Sequence, residues 1–292
     1  MRAAFRSATA ELLEDNPSLV VLLGDIGVFG FRKEMEKFPQ RVLNFGIMEQ
    51  TMVSFAAGLN KSGFTPVLHS IAPFLVERAL EQIKVDFGYQ GLQGNLVSVG
   101  ASFDYAALGG THHCPGDILA LLSVPRVEIL VPGHPDELKQ MIREHYFNES
   151  VTYFRLSETS NRNSWLEKGE KAKLIRTGTH GAVIALGPML DPVLSACSDL
   201  DLTVVYLTEV SEAALTQAIG FSASNKIMIV EPFYEASTSA VAPQALLAER
   251  EIRFKGVPRT FIHSYGTYAT QLENAGLSAT RLRLSFKDFF QC

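Results

Sequence analysis

Cysteine is scarce in this chain of 292 residues, with only three: Cys114, Cys197 and Cys292. Their number is odd, they lie far apart, and no pair has the spacing of a zinc site or of a disulfide framework. Such a set is typical of a reducing compartment, so we predict a cytoplasmic location. Cys114 lies beside two histidines, but without a second cysteine nearby we interpret it as a structural residue rather than a nucleophile or metal ligand.

Long apolar runs and an excess of positive charge are also missing. No run approaches the roughly 18 apolar residues of a membrane-spanning helix, so we predict no membrane partner. The net charge of −5 argues against a nucleic acid partner, whose phosphates would require a basic surface. Hydrophobic residues make up 47% and charged residues 20% of the chain, which is typical of a folded globular protein long enough for two domains.

Short strand-like runs alternate with helical patterns along the whole chain, which is typical of parallel α/β sheets. A polar stretch from 157 to 173 separates two such halves. We therefore predict an α/β fold with two domains, each with a mostly parallel sheet flanked by helices. The predicted domains are residues 1–160 and 175–292, joined by a linker at 161–174.

An acid stands where a predicted strand runs into a predicted helix. The apolar run at 42–45 ends at a glycine, and a helical pattern of apolar residues begins at Met52. Glu49 therefore lies in the first turn of the helix, where the helix dipole stabilises an anion. Position alone indicates a helix-stabilising acid, whereas the apolar neighbours indicate a buried acid that can share a proton.

Other polar residues follow predicted strands or lie in a long loop. Asp25 comes directly after the strand at 19–23, and ligands in α/β sheets bind outside the carboxyl ends of strands. His69 ends another predicted strand. The loop at 100–116 is long, which favours a functional role, and it carries Gly-Gly-Thr-His-His at 109–113. Each of these residues could also be an ordinary turn or loop residue.

In order along the chain stand Leu-Gly-Asp at 23–25, Gly-Ile-Met-Glu-Gln at 46–50, Phe-Leu-Val-Glu-Arg-Ala-Leu-Glu-Gln-Ile at 74–83, Gly-Gly-Thr-His-His at 109–113 and the segment 127–138. Together these motifs resemble the pyrimidine-binding domain of the transketolase family of thiamine-diphosphate enzymes. The second half of the chain is similar to the C-terminal domain of the same family. The resemblance implies transfer of a two-carbon ketol or acyl unit from a ketose or 2-oxoacid donor to an aldehyde acceptor.

The resemblance also implies which residues hold thiamine diphosphate. Glu49 is the expected catalytic acid, placed against a ring nitrogen of the aminopyrimidine. Phe74 would stack on the face of that ring and fix its orientation. We expect Asp25, Ile47 and Ile71 to lie beside the cofactor as well.

Three histidines are the expected substrate contacts. The resemblance makes His112 a catalytic residue that donates a hydrogen bond or relays a proton. His113 and His69 are weaker candidates for contact with the substrate.

Several positions depart from the family pattern. Residues that are aromatic or polar in the family, and that contact cofactor or substrate there, are replaced here at Phe29, Ile71, Glu77, Gly100, Leu108 and Glu158. The family holds a sugar phosphate with a hydroxyl near position 29 and an arginine near position 158. Phenylalanine offers no donor, and a carboxylate repels a phosphate. We therefore expect substrates other than the usual pentose phosphates, with an acceptor that lacks a terminal phosphate or is larger and less polar.

The diphosphate-binding domain of the family, with its Gly-Asp-Gly motif, has no counterpart in this sequence. We therefore expect the small subunit of a split enzyme, active only with a separate chain that holds Mg²⁺ or Ca²⁺, and no metal site here. The expected assembly is a heterotetramer that contains a dimer of this chain. The alternatives are a subunit like the β chain of a 2-oxoacid dehydrogenase, a relative of deoxyxylulose-phosphate synthase, and a non-catalytic scaffold or regulatory subunit.

Overall fold

The structure is a computed structural model that describes residues 1–292, apart from the side chains at 246 and 247. The strands of the first half are β1 (Leu19–Leu23), β2 (Val42–Asn44), β3 (Thr65–Ile71), β4 (Gly94–Val99), β5 (Val127–Leu130) and β6 (Val151–Arg155). They form one sheet in the order β2-β1-β3-β4-β6-β5, in which every pair is parallel.

The second half is built on a sheet of its own. Its strands are β7 (Ala172–Arg176), β8 (Ala182–Leu186), β9 (Thr203–Leu207), β10 (Lys226–Tyr234) and β11 (Glu251–Val257). Their order is β11-β10-β8-β9-β7, and only the edge strand β7 is antiparallel to its neighbour. The predicted fold class, two α/β halves with mostly parallel sheets flanked by helices, is confirmed.

Helices connect most of the parallel strands, because the chain must cross from the end of one parallel strand back to the start of the next. The α-helices are α1 (Arg2–Asp15), α2 (Val28–Lys37), α3 (Glu49–Lys61), α4 (Leu80–Gln82), α5 (Asp117–Leu122), α6 (Pro135–His145), α7 (Leu190–Ala196), α8 (Glu212–Gly220), α9 (Gln244–Glu249), α10 (Tyr268–Asn274) and α11 (Ala279–Phe290). Wider π-helical turns at Pro73–Glu77 and Ile83–Gly88 flank α4, and a 3₁₀ turn spans Gly109–Thr111. No helix in the described part of the chain has the length and apolar content needed to cross a membrane.

Strand β1 shows why this sequence forms a sheet covered on both faces. All five of its residues are apolar and buried. Leu19, Val21 and Leu23 share an apolar cluster with Phe5 of α1. The alternate residues Val20 and Leu22 belong to a second cluster, with Met52 of α3. Because side chains alternate along a strand, a continuous apolar run requires a helix layer on each face.

The two halves pack directly against each other. The Val131 N–H donates to the Thr208 carbonyl at 2.7 Å, and the Tyr206 hydroxyl donates to the Glu137 carboxylate at 2.7 Å. The segment predicted as a linker also packs against both halves, since the Asn161 N–H donates to the Gly133 carbonyl at 2.8 Å and its Nδ2 donates to the Gly187 carbonyl at 3.0 Å. Strand β7 begins inside that segment, and the boundaries at 160 and 175 stay a prediction.

Candidate active site

Glu49 is the first residue of α3, and only 1% of it is exposed. Two donors hold its carboxylate: the Ser70 hydroxyl lies 2.7 Å from Oε1, and Arg78 Nη1 lies 2.6 Å from Oε2. A buried carboxylate is stable only when it is paired and hydrogen-bonded, as it is here. Ser70 lies in β3 and Arg78 beyond it, so elements remote from α3 fix the direction of the acid.

Gly24, at the carboxyl end of β1, makes room for this arrangement. A Cβ placed on Gly24 would lie 2.9 Å from Ser70 Oγ and 3.3 Å from Glu49 Oε1. Any larger residue would push the hydroxyl and the carboxylate out of place. Glycine is therefore required here by close approach rather than by its backbone conformation.

The ring of Phe74 lies half-buried in the first helical turn after β3. The guanidinium carbon of Arg78 lies 4.2 Å from the ring centroid, a cation–π contact. On another side the ring meets His112, with 5.3 Å between centroids and an angle of 70° between planes. The structure thus brings together Glu49, Arg78, Phe74 and His112, three of which were predicted as site residues.

His112 follows the 3₁₀ turn Gly109–Thr111. Its N–H donates to the Gly109 carbonyl at 3.0 Å, and its Nδ1 lies 2.9 Å from Thr111 Oγ1. The ring of Tyr105 approaches its edge, at 5.8 Å between centroids. The backbone and the ring of His112 are therefore both oriented by neighbours.

The other two predicted histidines are buried. Both ring nitrogens of His113 lack a hydrogen-bond partner among the described residues, and burial, followed by the neighbouring His112, lowers its pKa. His69 donates from Nδ1 to the Val97 carbonyl at 2.8 Å, which leaves Nε2 as an acceptor. Burial lowers the pKa of His69 to about 4, so its ring is neutral at pH 7.

Asp25 and His69 line an open cleft of about 410 Å³ between α1 and the loop after β1. The Asp25 N–H donates to Asn44 Oδ1 at 3.0 Å, which fixes the residue in the left-handed region at φ +64°. Arg2 lines the same cleft and donates to the Tyr105 hydroxyl at 2.5 Å. Sequence reasoning missed Arg2, because its partner lies 103 residues away and no local spacing connects the two.

Two apolar neighbours of Glu49 in the sequence lie largely exposed in this chain. Ile47 is 70% exposed and Met48 is 53% exposed. Ile71, by contrast, is buried at the end of β3. The expectation of an acid surrounded by apolar neighbours is therefore incomplete, since the acid is buried by β1, β3 and Arg78. Ile47 and Met48 instead form open apolar surface beside it.

The structure shows the surroundings of several positions that depart from the family pattern. Gly100 has φ +79°, and a Cβ placed on it would lie 2.5 Å from the Tyr105 ring, so tyrosine fills the space where a side chain at 100 would extend. Leu108 and Phe29 are exposed, and Glu158 is exposed with its N–H donating to Asp104. These outward-facing positions therefore offer apolar surface and one carboxylate.

Asp104 is a buried acid in the same loop that sequence reasoning missed. Its carboxylate accepts from the Ser157 hydroxyl at 3.1 Å and from the Glu158 N–H at 2.9 Å. Burial raises its pKa to about 7, against the opposing effect of these hydrogen bonds. The loop thus contains a carboxyl group that titrates near neutral pH.

Cys114 has the surroundings of an inert thiol. It is buried, and burial raises its pKa well above the usual range. Close by, the buried Arg155 donates from Nε to Asp117 at 2.7 Å, a pair that ties β6 to α5. Among the residues whose side chains are described, no group of three or more His, Cys, Asp or Glu lies together as metal ligands would.

Comparison with known proteins gives matches along the chain. The family model described as the transketolase, pyrimidine binding domain matches residues 1–163. An uncharacterized 33.6 kDa protein of the fasciation locus of Rhodococcoides fascians is 38% identical over 290 residues, which cover 94% of this chain and 93% of that protein. One of the subunits of the apulose-4-phosphate transketolase of Actinobacillus succinogenes is 32% identical over 171 residues, or 57% of this chain and 55% of that one.

Longer proteins match as well. The 1-deoxy-D-xylulose-5-phosphate synthase of Methylobacillus flagellatus is 29% identical over 265 residues, so 86% of this chain spans 42% of the synthase. A solved structure described as a split gene transketolase, inactive beta4 tetramer, superposes with a TM-score of 0.83, at 22% identity over 99% of this chain and 97% of that one. At this identity the structural likeness shows the fold alone.

Proposed function

Because the chain belongs to the transketolase family, with a pyrimidine-binding domain in its first half, we propose that it is the catalytic small subunit of a split thiamine-diphosphate-dependent transferase. The enzyme would move a two-carbon ketol or acyl unit from a ketose or 2-oxoacid donor to an aldehyde acceptor. One observation carries the proposal: a buried carboxylate, Glu49, is held at the strand ends beside a half-buried aromatic ring, Phe74.

The side chains around Glu49 fit the aminopyrimidine ring of thiamine diphosphate. When bound, this cofactor accepts the electron pair of a bond broken next to a carbonyl group. Phe74 offers one ring face for stacking. The exposed Ile47 and Met48 offer apolar surface that a ring can cover.

Glu49 would hold a proton at a ring nitrogen of the cofactor. Each of its two oxygens accepts one hydrogen bond from within the chain, and each keeps a second acceptor site. The acid can therefore engage a ligand without releasing Ser70 or Arg78. Because these donors fix its direction beforehand, little reorganisation is needed at the moment of reaction.

His112 would act on the substrate, on the other side of Phe74. Its ring contacts Phe74 and Tyr105, and its Nδ1 is occupied by Thr111. That arrangement leaves Nε2 as the ring atom for donating a hydrogen bond or relaying a proton. Asp25, His69 and Arg2 line the adjoining cleft and are further candidates for substrate contact.

A second chain would complete the site. We place the ligands of Mg²⁺ or Ca²⁺, and the groups that bind the diphosphate, on an N-terminal partner subunit in a two-plus-two heterotetramer in the cytoplasm. The name of the apulose-4-phosphate transketolase relative, which is one subunit of that enzyme, supports a partner. The description of the superposed split gene transketolase as an inactive beta4 tetramer supports activity only in the mixed assembly.

The acceptor would be less polar than a pentose phosphate. Phe29 and Leu108 are exposed and apolar, and Tyr105 fills the space next to Gly100. Glu158 adds a negative charge at the surface. These residues favour an aldehyde with an apolar portion over a fully hydroxylated chain.

Reconstitution tests the proposal. The companion chain that co-purifies from the native host should carry a Gly-Asp-Gly motif followed by an asparagine, and the two chains together with cofactor and Mg²⁺ should transfer a two-carbon unit. Activity of this chain alone would contradict the split-enzyme proposal. Rapid turnover of xylulose and ribose phosphates would contradict the proposed substrate class. A second candidate, a reaction like that of 1-deoxy-D-xylulose-5-phosphate synthase, is supported by the match over 86% of this chain. If its donor is a 2-oxoacid, the reaction should release carbon dioxide.

A further inference from the structure

A loop of the second half reaches the turn that carries His112. Residues 258–267 have no regular secondary structure and lead into α10. The ring of Tyr265 in this loop covers Gly109: a Cβ placed on Gly109 would lie 2.7 Å from Tyr265 Cε1. The next residue, Gly266, donates its N–H to the Ala106 carbonyl at 3.3 Å. Two adjoining residues of one half thus contact the same loop of the other half.

Gly109 is the residue on which the position of His112 depends. Its carbonyl accepts the N–H groups of His112 at 3.0 Å and of His113 at 3.2 Å. Gly109 also has φ +73°, a left-handed conformation that glycine adopts without strain. A shift of Gly109 would therefore move both histidines.

The loop that carries Tyr265 is itself anchored. The buried Gln271 donates from Nε2 to the Ser264 carbonyl at 2.7 Å, and the Ser264 hydroxyl donates back to Gln271 Oε1 at 3.3 Å. The ring of Tyr268 packs on Phe103 with 5.2 Å between centroids. Because these contacts anchor the chain on both sides of Tyr265, they keep its ring beside Gly109.

Tyr265 is 71% exposed, so its side chain contributes little to the core of either half. We propose that Tyr265 is a positioning residue, which holds the turn Gly109–Thr111 and through it sets the place of His112 in the active site. The structural part of the proposal, that Tyr265 holds the turn, depends on the contacts above. Its catalytic part, that the turn sets the place of His112 for the reaction, rests on the proposed function of His112.

Hydrogen exchange of the full chain tests the structural part without a partner or cofactor. Tyr265→Ala should speed exchange of the His112 and His113 amides by roughly fivefold to tenfold, the scale of one lost aromatic packing contact. Tyr265→Phe keeps the ring and should restore wild-type exchange. Phe261→Ala is the matched control, since Phe261 lies in the same loop and is 83% exposed. Amides of β1 should be unaffected in all three variants.

The assembled enzyme tests the catalytic part. Tyr265→Ala should lower kcat/KM by roughly tenfold and leave the affinity for thiamine diphosphate unchanged, because misplacing a catalytic group affects reaction more than cofactor binding. Tyr265→Phe and Phe261→Ala should match wild type. Unchanged exchange at His112 in Tyr265→Ala would overturn the proposal, as would altered exchange with unchanged kcat/KM. An inactive wild-type assembly would refute the proposed function instead, with the exchange result still valid.

Discussion

Replacing Glu49 by glutamine keeps the size of the side chain and removes its charge and its ability to exchange a proton. The amide oxygen can accept the hydrogen bond from Arg78, which the carboxylate now accepts at 2.6 Å. The Ser70 hydroxyl, 2.7 Å from Oε1, can turn to accept from the amide N–H₂. Both contacts of the buried side chain can therefore survive, so the variant isolates the loss of the acid.

The expected cost in stability is small. A charge-assisted hydrogen bond becomes a neutral one, which costs about 1–2 kcal/mol. The side chain of Arg78 is 38% exposed, so water can solvate the guanidinium once its counter-charge is gone. For a chain of this size the melting temperature should fall by roughly 2–8 °C. The variant should therefore fold and assemble.

The expected cost in activity is far larger. Removing a positioned group that transfers a proton lowers turnover by roughly 10²- to 10⁴-fold. The assay measures kcat of the mixed assembly at saturating cofactor, well below both melting temperatures. Glu36→Gln, which removes the same charge from an exposed position on α2, is the control and should match wild type.

Near-normal turnover in Glu49→Gln would refute the role of Glu49. If Glu49→Gln assembles normally, binds thiamine diphosphate, and turns over within about tenfold of wild type, Glu49 is not the proton partner of the ring. That outcome would favour the alternative of a scaffold subunit, whose partner alone carries the chemistry.

Three further predictions concern other residues of the site. Phe74→Ala should weaken binding of thiamine diphosphate to the assembly roughly tenfold through lost stacking, and unchanged affinity in titration calorimetry would remove Phe74 from the cofactor site. His112→Gln should lower kcat/KM by roughly 100-fold, and a loss of equal size in His113→Gln would contradict the roles assigned here. Asp104 has a pKa raised to about 7, so its stabilising effect is full at low pH and is lost as pH rises through that value. The usual pKa of this group is 3.8, so the loss of stability falls between about pH 4 and pH 7. Asp104→Asn should therefore flatten the fall in melting temperature over that range, and parallel profiles of variant and wild type would contradict this.

Much of the fold could be predicted from local pattern. The apolar run of β1 is uninterrupted, and near Glu49 the spacing of apolar residues changes from a strand pattern to a helical pattern. Each of these signals depends on residues that are close together in the chain. Such periodicities indicate which face of an element is buried, and their alternation indicates a parallel sheet. The strand β7 was not predicted, because its residues are only partly buried and lie in a polar segment at a sheet edge.

The site could be predicted only in part. Glu49, Phe74 and His112 were named from their motifs, and the structure places Phe74 against His112 and next to Arg78, the partner of Glu49. The apolar residues beside Glu49 in the sequence indicated burial, but Ile47 and Met48 are exposed in this chain. Neighbours in sequence at a helix start point in different directions, so adjacency is weak evidence of shared surroundings.

Most of the strands and helices, and the acid at the junction of β2 and α3, follow from the sequence by itself, because they depend on residues close together in the chain. The partners of that acid were decided only by tertiary structure: Ser70 is 21 residues away and Arg78 is 29. The contact of Tyr265 with Gly109 joins the two halves in the same way. Such contacts depend on how whole elements pack, since a parallel sheet gathers the ends of distant strands at one edge.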